Sequence, residues 1–272
     1  MDPFTPMPPR PTVTLAGCAY ASVVGYRPLE LDLHAPPGPG PHPVIVWIHG
    51  GGWQDGGRQI LPATIEPHGF HERLVARGYA VAAVDYRLSR EAQYPAQLDD
   101  VQAAIAWLRR HAEGLHLDPG RLATFGESAG GHLAAMAGLV GRGDTAVGAV
   151  VNWYGAVDLD IEDPDDPTTP PAVLLGGPIS GRRSFARWAS PLYRVHADAP
   201  PFLSVHGTAD TVVPYDQSER LTAALHAVGV RADLLPVPDA GHCFEGYHGI
   251  DGLIERCADF LDDVLRGGPR AW

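Results

Sequence analysis

Cysteine is scarce, basic residues are few and no long apolar run occurs, and each shortage closes off a class of function. Three cysteines in 272 residues, Cys18, Cys243 and Cys257, are too few and too scattered for a disulfide framework. Their odd number leaves at least one thiol free, which suits a reducing compartment, so a cytoplasmic location is expected. Lys and Arg together number 20 against 32 Asp and Glu, a formal net charge of −12. Phosphate binding rests on clustered cations, so nucleic acid and anionic membrane surfaces are not expected partners. No apolar segment approaches the ~20 residues needed to cross a bilayer. The N-terminal MDPFTPMPPRP lacks the charged and apolar regions of a signal peptide. Its first six residues can be read as a cloning scar ahead of Met7.

What is present fits a globular protein of ordinary composition. Hydrophobic residues make up 45% of the chain and charged residues 19%, as in soluble globular proteins and unlike disordered ones. A chain of this length can bury a large core without metal or disulfide staples. A Pro-rich segment over 1–20 is expected to precede a single domain over 21–272.

Strand and helix signals alternate along the chain, the pattern of a mostly parallel sheet covered by helices, and the fold class is α/β. LELDLH at 29–34 alternates like a half-exposed strand. VIVWI at 44–48 and YAVAAV at 79–84 are continuous apolar runs, as strands buried on both faces should be. Further strands are expected at 121–125, 146–153, 201–205 and 232–237. Helices are expected at 70–77, from 95 to about 111, and at 129–140, 218–228 and 254–265. Asp- and Pro-rich sequence from about 158 to 192 breaks the rhythm, with a short helical signal at 184–188, and reads as a small cap inserted over the catalytic edge. The acidic run at 158–166 lacks the glycine and spacing of an EF-hand and reads as solvated.

Gly126-Glu127-Ser128-Ala129-Gly130 is a G-x-S-x-G pentapeptide between a predicted strand, RLATF, and a predicted helix, AGGHLAAMAGLV. In that setting the serine sits on a strained turn at a helix N-terminus, exposed as a nucleophile. His49-Gly50-Gly51-Gly52-Trp53 directly follows VIVWI. Its glycines let bare backbone N–H groups approach a developing oxyanion, and Gly51, Gly52 and Ala129 are the expected donors, with Gly50 as an alternative. The acid and base should follow in the order Ser, Asp, His. Asp210 in HGTADTVVP and His242 in PDAGHCFEG each follow a predicted strand, so each lies on a loop at the sheet edge where α/β proteins gather their chemistry. His206 precedes the acid and is expected to pack beside it, and Asp239 to shape a turn. His68 and His71 lack the HExxH pattern, so no metal site is expected, and nothing in the sequence demands a cofactor. Trp53, Trp153, Tyr154, Trp188 and Phe244 are candidates for the wall of a substrate pocket, against the alternative of core packing.

With these residues in place the chain resembles the α/β-hydrolase superfamily, and within it the bacterial esterases related to hormone-sensitive lipase and to feruloyl/acetylxylan-type esterases. The resemblance runs from about 20 to 265 and includes HGGGW, DYRLS at 85–89, YPAQLDDVQAAIAWLRRHA at 94–112, GESAGGHLA, HGTADTVVP and GHCFEG. It implies a serine hydrolase acting on small to medium acyl esters through an acyl-enzyme, with a small-molecule ester as partner. Two features depart from that group. Many lipase-like members carry a longer helical N-terminal cap, whereas roughly the first 20 residues here precede the core, so a more open entrance is expected; HGGxW also occurs in kynurenine formamidases. Arylformamidase or amidase action is therefore one alternative, and acyl transfer or thioesterase work in a biosynthetic pathway another. The assembly state is open, a homodimer being one option.

Overall fold

The structure, a computed structural model, describes residues 15–160 and 164–267. The segment MDPFTPMPPRP therefore lies outside the described residues, as do 161–163 of the acidic run. Among the described residues eight strands form one sheet: β1 (Leu15–Ala21), β2 (Leu29–His34), β3 (His42–Ile48), β4 (Ala80–Val84), β5 (Leu117–Glu127), β6 (Ala149–Trp153), β7 (Phe202–Gly207) and β8 (Ala232–Val237). Their order is β1-β2-β4-β3-β5-β6-β7-β8. The pairs β1/β2 and β2/β4 are antiparallel and all others are parallel. Among the described residues seven α-helices accompany them: α1 (Phe70–Ala76), α2 (Ala96–Arg110), α3 (Ala129–Val140), α4 (Pro170–Leu175), α5 (Arg183–Trp188), α6 (Asp216–Ala227) and α7 (Ile250–Arg266).

The central strands explain why the sequence shows unbroken apolar runs. Val44, Val46 and Ile48 of β3 point to the face covered by α2, α3 and α6, while Ile45 and Trp47 point to the face covered by α1 and α7. Successive strand residues alternate between faces, so a strand covered on both sides must be apolar at every position. No helix among the described residues is long and apolar enough to cross a membrane.

Three expectations need correction. The sheet begins at Leu15, inside the segment read as a Pro-rich tail. LAGCAYA carries no clean alternation because its register against β2 slips twice. β2 is not half-exposed: Leu29, Leu31 and Leu33 are fully buried, and Asp32 is buried because Arg58, Gln59 and the Gly17 N–H satisfy its carboxylate. Nor is the acidic run simply solvated. Asp158 is buried against Arg220 at 2.5 Å, and Asp160 pairs with Arg183 and Arg187.

Those pairs brace the cap, which lies between β6 and β7 and holds α4 and α5. The helix α4 was not foreseen, because a segment opening on Thr-Pro-Pro reads as a turn. Here Pro170 occupies the first helical position, where no N–H is needed, and the Thr169 hydroxyl accepts from the Ala172 N–H. The ends of the cap meet. Leu192 N–H donates to Val157 O at 3.0 Å and Leu159 N–H to Ser190 Oγ at 2.8 Å.

Candidate active site

Ser128 stands between β5 and α3 with φ 51° and ψ −119°, a backbone conformation costly for any residue with a side chain. The glycines around it are needed because backbone passes close by. A Cβ on Gly126 would lie 2.2 Å from Gly130 O, and one on Gly130 would lie 2.0 Å from Ile48 O. Their absence lets α3 start hard against β3, and Ser128 N–H is anchored by Trp153 O at 2.9 Å.

Asp210 follows β7 and His242 follows β8, so both loops leave the same edge of the parallel strands as Ser128. The three side chains meet in one line of hydrogen bonds. His242 Nδ1 lies 2.7 Å from Asp210 Oδ2, and His242 Nε2 lies 3.0 Å from Ser128 Oγ. Since Asp210 offers only acceptors, Nδ1 carries a proton and Nε2 is free to accept one from the serine. Burial alone would raise the Asp210 carboxyl. Donors from His206, His242 and the Val213 N–H overcome it and hold the group well below the usual carboxylate range.

His206 does more than pack beside the acid. Its fully buried ring has Nε2 at 2.9 Å from Val213 O and 3.2 Å from Asp210 Oδ2, and Nδ1 at 2.7 Å from Ser218 Oγ. Both neighbours of Nε2 are acceptors, so that nitrogen carries the proton and shares it with Asp210. Asp239 takes a positive φ of 58° and donates its N–H to Thr208 Oγ1, shaping the turn as expected.

The HGGGW loop follows β3. Gly51 has φ 95°, and a Cβ there would fall 2.3 Å from Asp55 O, so the tight turn admits only glycine. The Gly50 N–H donates to Glu127 Oε1 at 2.6 Å, which removes Gly50 from the possible oxyanion donors. Among the described residues, the N–H groups of Gly51 and Gly52 meet no protein acceptor. Ala129 is the first residue of α3, whose N–H has no intrahelical partner.

The DYRLS segment is the scaffold of this loop. The Tyr86 hydroxyl donates to His49 O at 3.0 Å, and its ring stacks on His49 at 4.3 Å. Burial lowers the His49 imidazole to about 4, so it is neutral near pH 7, with Nδ1 at 2.8 Å from Gly50 O. Ser89 donates both N–H and Oγ–H to Trp53 O, at 2.7 and 3.0 Å. Asp85 and Arg87 are bound in turn to Arg58 and Asp100.

The aromatic candidates divide. Trp153 points to the α1/α7 face, packs against Trp47, Phe70 and Phe125, and donates to Cys257 Sγ at 3.2 Å. Phe244 is fully buried against it. Both are fully buried in the core on that face. Tyr154 presents its ring edge to His242 at 5.0 Å. Trp53 is buried against His132 below the loop. Trp188 lies on the cap, 41% exposed and packed on Tyr94 and Phe185. Pro170 of α4 comes within 3.4 Å of where a Gly52 side chain would begin, so the cap reaches the glycine loop.

Two residues close to the reacting groups escaped the sequence reading. Glu127 is buried beside Ser128 at a position that G-x-S-x-G leaves unspecified. Tyr86 was visible only as one letter of a shared segment.

The family model BD-FAE matches residues 31–225 of the chain. Esterase LipC of Mycobacterium tuberculosis is 34% identical to it, over 83% of this chain and 59% of LipC. The chain thus spans little more than half the length of that relative. A truncated form of a carbohydrate esterase from gut microbiota superimposes with a TM-score of 0.80 at 29% identity, over 95% of this chain and 99% of that one. Esterase 2 of Thermogutta terrifontis, solved after phosphorylation by paraoxon, has a TM-score of 0.75 at 26% identity, with 96% of each chain covered.

Proposed function

The chain belongs to the BD-FAE family, within the α/β-hydrolase superfamily, and on that premise we propose that it hydrolyses carboxylic esters of small to medium acyl groups through an acyl-enzyme on Ser128. The observation that carries this reading is the unbroken hydrogen-bond line from Asp210 through His242 to a strained Ser128. The esterase names of its relatives support the same chemistry.

In the proposed reaction His242 Nε2 takes the Ser128 proton as Oγ attacks the acyl carbon. The carbonyl oxygen becomes an anion, received by the N–H groups of Gly51, Gly52 and Ala129. Asp210 holds the imidazolium that results. His242 then returns the proton to the departing alkoxide, which leaves as an alcohol and completes the acyl-enzyme. Water repeats the sequence in reverse: His242 takes one proton from it, the hydroxyl attacks the acyl carbon, and Ser128 is released with its proton restored. Trp188, exposed on the cap, remains the aromatic candidate best placed to meet a substrate. Three unpaired thiols among the described residues favour a cytoplasmic location.

The test is hydrolysis of p-nitrophenyl esters from acetate to decanoate by wild type and Ser128→Ala. Short-chain activity that falls by about three or more orders of magnitude in the mutant is expected. A folded wild type that cleaves no ester but does cleave N-formyl arylamines would overturn the ester reading.

A further inference from the structure

The motif G-x-S-x-G asks nothing of its second residue, yet here that residue is a carboxylic acid with 5% of its surface exposed. Burying a carboxyl is costly unless its oxygens find donors. Glu127 has found one in the loop that faces the nucleophile: Oε1 accepts the Gly50 N–H at 2.6 Å. A Cβ on Gly50 would fall 2.1 Å from that oxygen, so the carboxyl lies directly against bare backbone. Gly50 is joined to Gly51, and orienting one peptide constrains the next. The titratable groups facing Glu127 come from three other elements. They are His242 and the Cys243 thiol after β8, the Tyr154 hydroxyl after β6 and the Tyr86 hydroxyl after β4. The Tyr154 hydroxyl is buried there without a hydrogen bond of good geometry.

We propose that Glu127 is the positioning residue of the oxyanion loop, its carboxylate holding the Gly50 peptide so that the following Gly51 and Gly52 N–H groups are fixed for the transition state. The role rests on the ester-hydrolase reading above. An acid can hold the loop more firmly than a neutral acceptor. A carboxylate makes a short, charge-assisted bond to an N–H, whereas a neutral acid makes a weaker one. Burial pushes this carboxyl up to about 7, against the opposing pull of the Gly50 N–H, His242 and Tyr154. The anchor therefore weakens as pH falls through neutrality.

The experiment compares wild type, Glu127→Ala, Glu127→Gln and Ser128→Ala on p-nitrophenyl acetate from pH 5 to 9. Each is also titrated with an aryl trifluoromethyl ketone, whose serine adduct carries the oxyanion. Loss of a single oxyanion donor costs about 100- to 1,000-fold, and a misplaced loop should cost less. Glu127→Ala is expected to lower kcat about 10- to 100-fold with KM within about threefold, and to weaken the ketone by a similar factor. Glu127→Gln, which keeps a neutral acceptor, should recover to within about fivefold at pH 8 and lose the part of the acid-side fall that Glu127 contributes. A folded Glu127→Ala with wild-type kcat and ketone affinity would overturn the proposal. So would a Glu127→Gln profile identical to wild type, and that profile decides the matter alone if the alanine variant does not fold. Equal ester activity in wild type and Ser128→Ala would instead overturn the hydrolase reading, and the positioning role with it.

Discussion

Asp210 and Glu127 sit within one site and are driven in opposite directions by their donors. Asp210 has two imidazoles and two backbone N–H groups around its oxygens, so it stays ionised despite burial. Glu127 has one backbone donor, too few to offset desolvation, and its carboxyl rises to about 7 from the ordinary 4.5. The consequences for stability are opposite. Asp210, with its value depressed, stabilises the fold above the ordinary aspartate range, and that contribution is lost as acid protonates it. Glu127, with its value raised, binds a proton in the native state that the unfolded chain has already released between about 4.5 and 7. Stability therefore falls as pH rises through that window. Glu127→Gln removes the effect, and its stability relative to wild type should be greater at pH 8 than at pH 5, by on the order of 3 kcal/mol at most. Urea midpoints of the two proteins at both pH values test this, and a constant difference would exclude Glu127 as the titrating group.

At the scale of elements, the site depends on how closely α3 approaches β3. Gly130→Ala would place a methyl group 2.0 Å from Ile48 O and 2.5 Å from His49 O, both backbone atoms that cannot rotate aside. Overpacking of this kind should cost about 2–4 kcal/mol and lower the thermal midpoint even with a bound inhibitor. A variant of unchanged stability would show that the helix can lift off the strand. Elements with a clear period were readable in the sequence: β2, β8 and α3 occupy the spans expected for them. The meeting of Ser128, Asp210 and His242 was also readable, since strand–loop punctuation places each at one edge. β1 was missed because two register slips erase its alternation. For Trp153 and Phe244 the sequence left core and pocket open, because an aromatic residue near a reactive loop looks the same in sequence whether it faces a core or a cleft, and both are fully buried. Glu127 and Tyr86 could not be assigned from sequence, because their roles arise from a hydrogen bond to a peptide some 77 or 37 positions away.

In the whole molecule the sheet separates two apolar cores, and the reactive groups all leave the ends of β3, β5, β7 and β8 on one rim. The cap joins that rim at a single connection, and its stem is tied to α6 by the Arg220–Asp158 pair. Arg220→Ala takes the cation from Asp158 and leaves its carboxylate the Asp160 N–H at 3.1 Å and the Tyr193 hydroxyl at 3.3 Å, so the cap should sit more loosely while the reactive groups stay put. Preference among acyl lengths is expected to flatten, with acetate kcat/KM changed less than about threefold. An unchanged chain-length profile would show that this pair does not govern the cap. Because β6 and β7 are parallel neighbours, the chain must cross over between them in any case. The cap occupies that obligatory detour and returns to where it began, its ends closed by Leu192 and Val157. A different detour could be spliced between those two residues without disturbing strand order or the loops of Ser128, Asp210 and His242. The fold thus carries the segment that reaches the glycine loop as an exchangeable cassette, which can be replaced at that one connection while strand order and the loops of Ser128, Asp210 and His242 are kept.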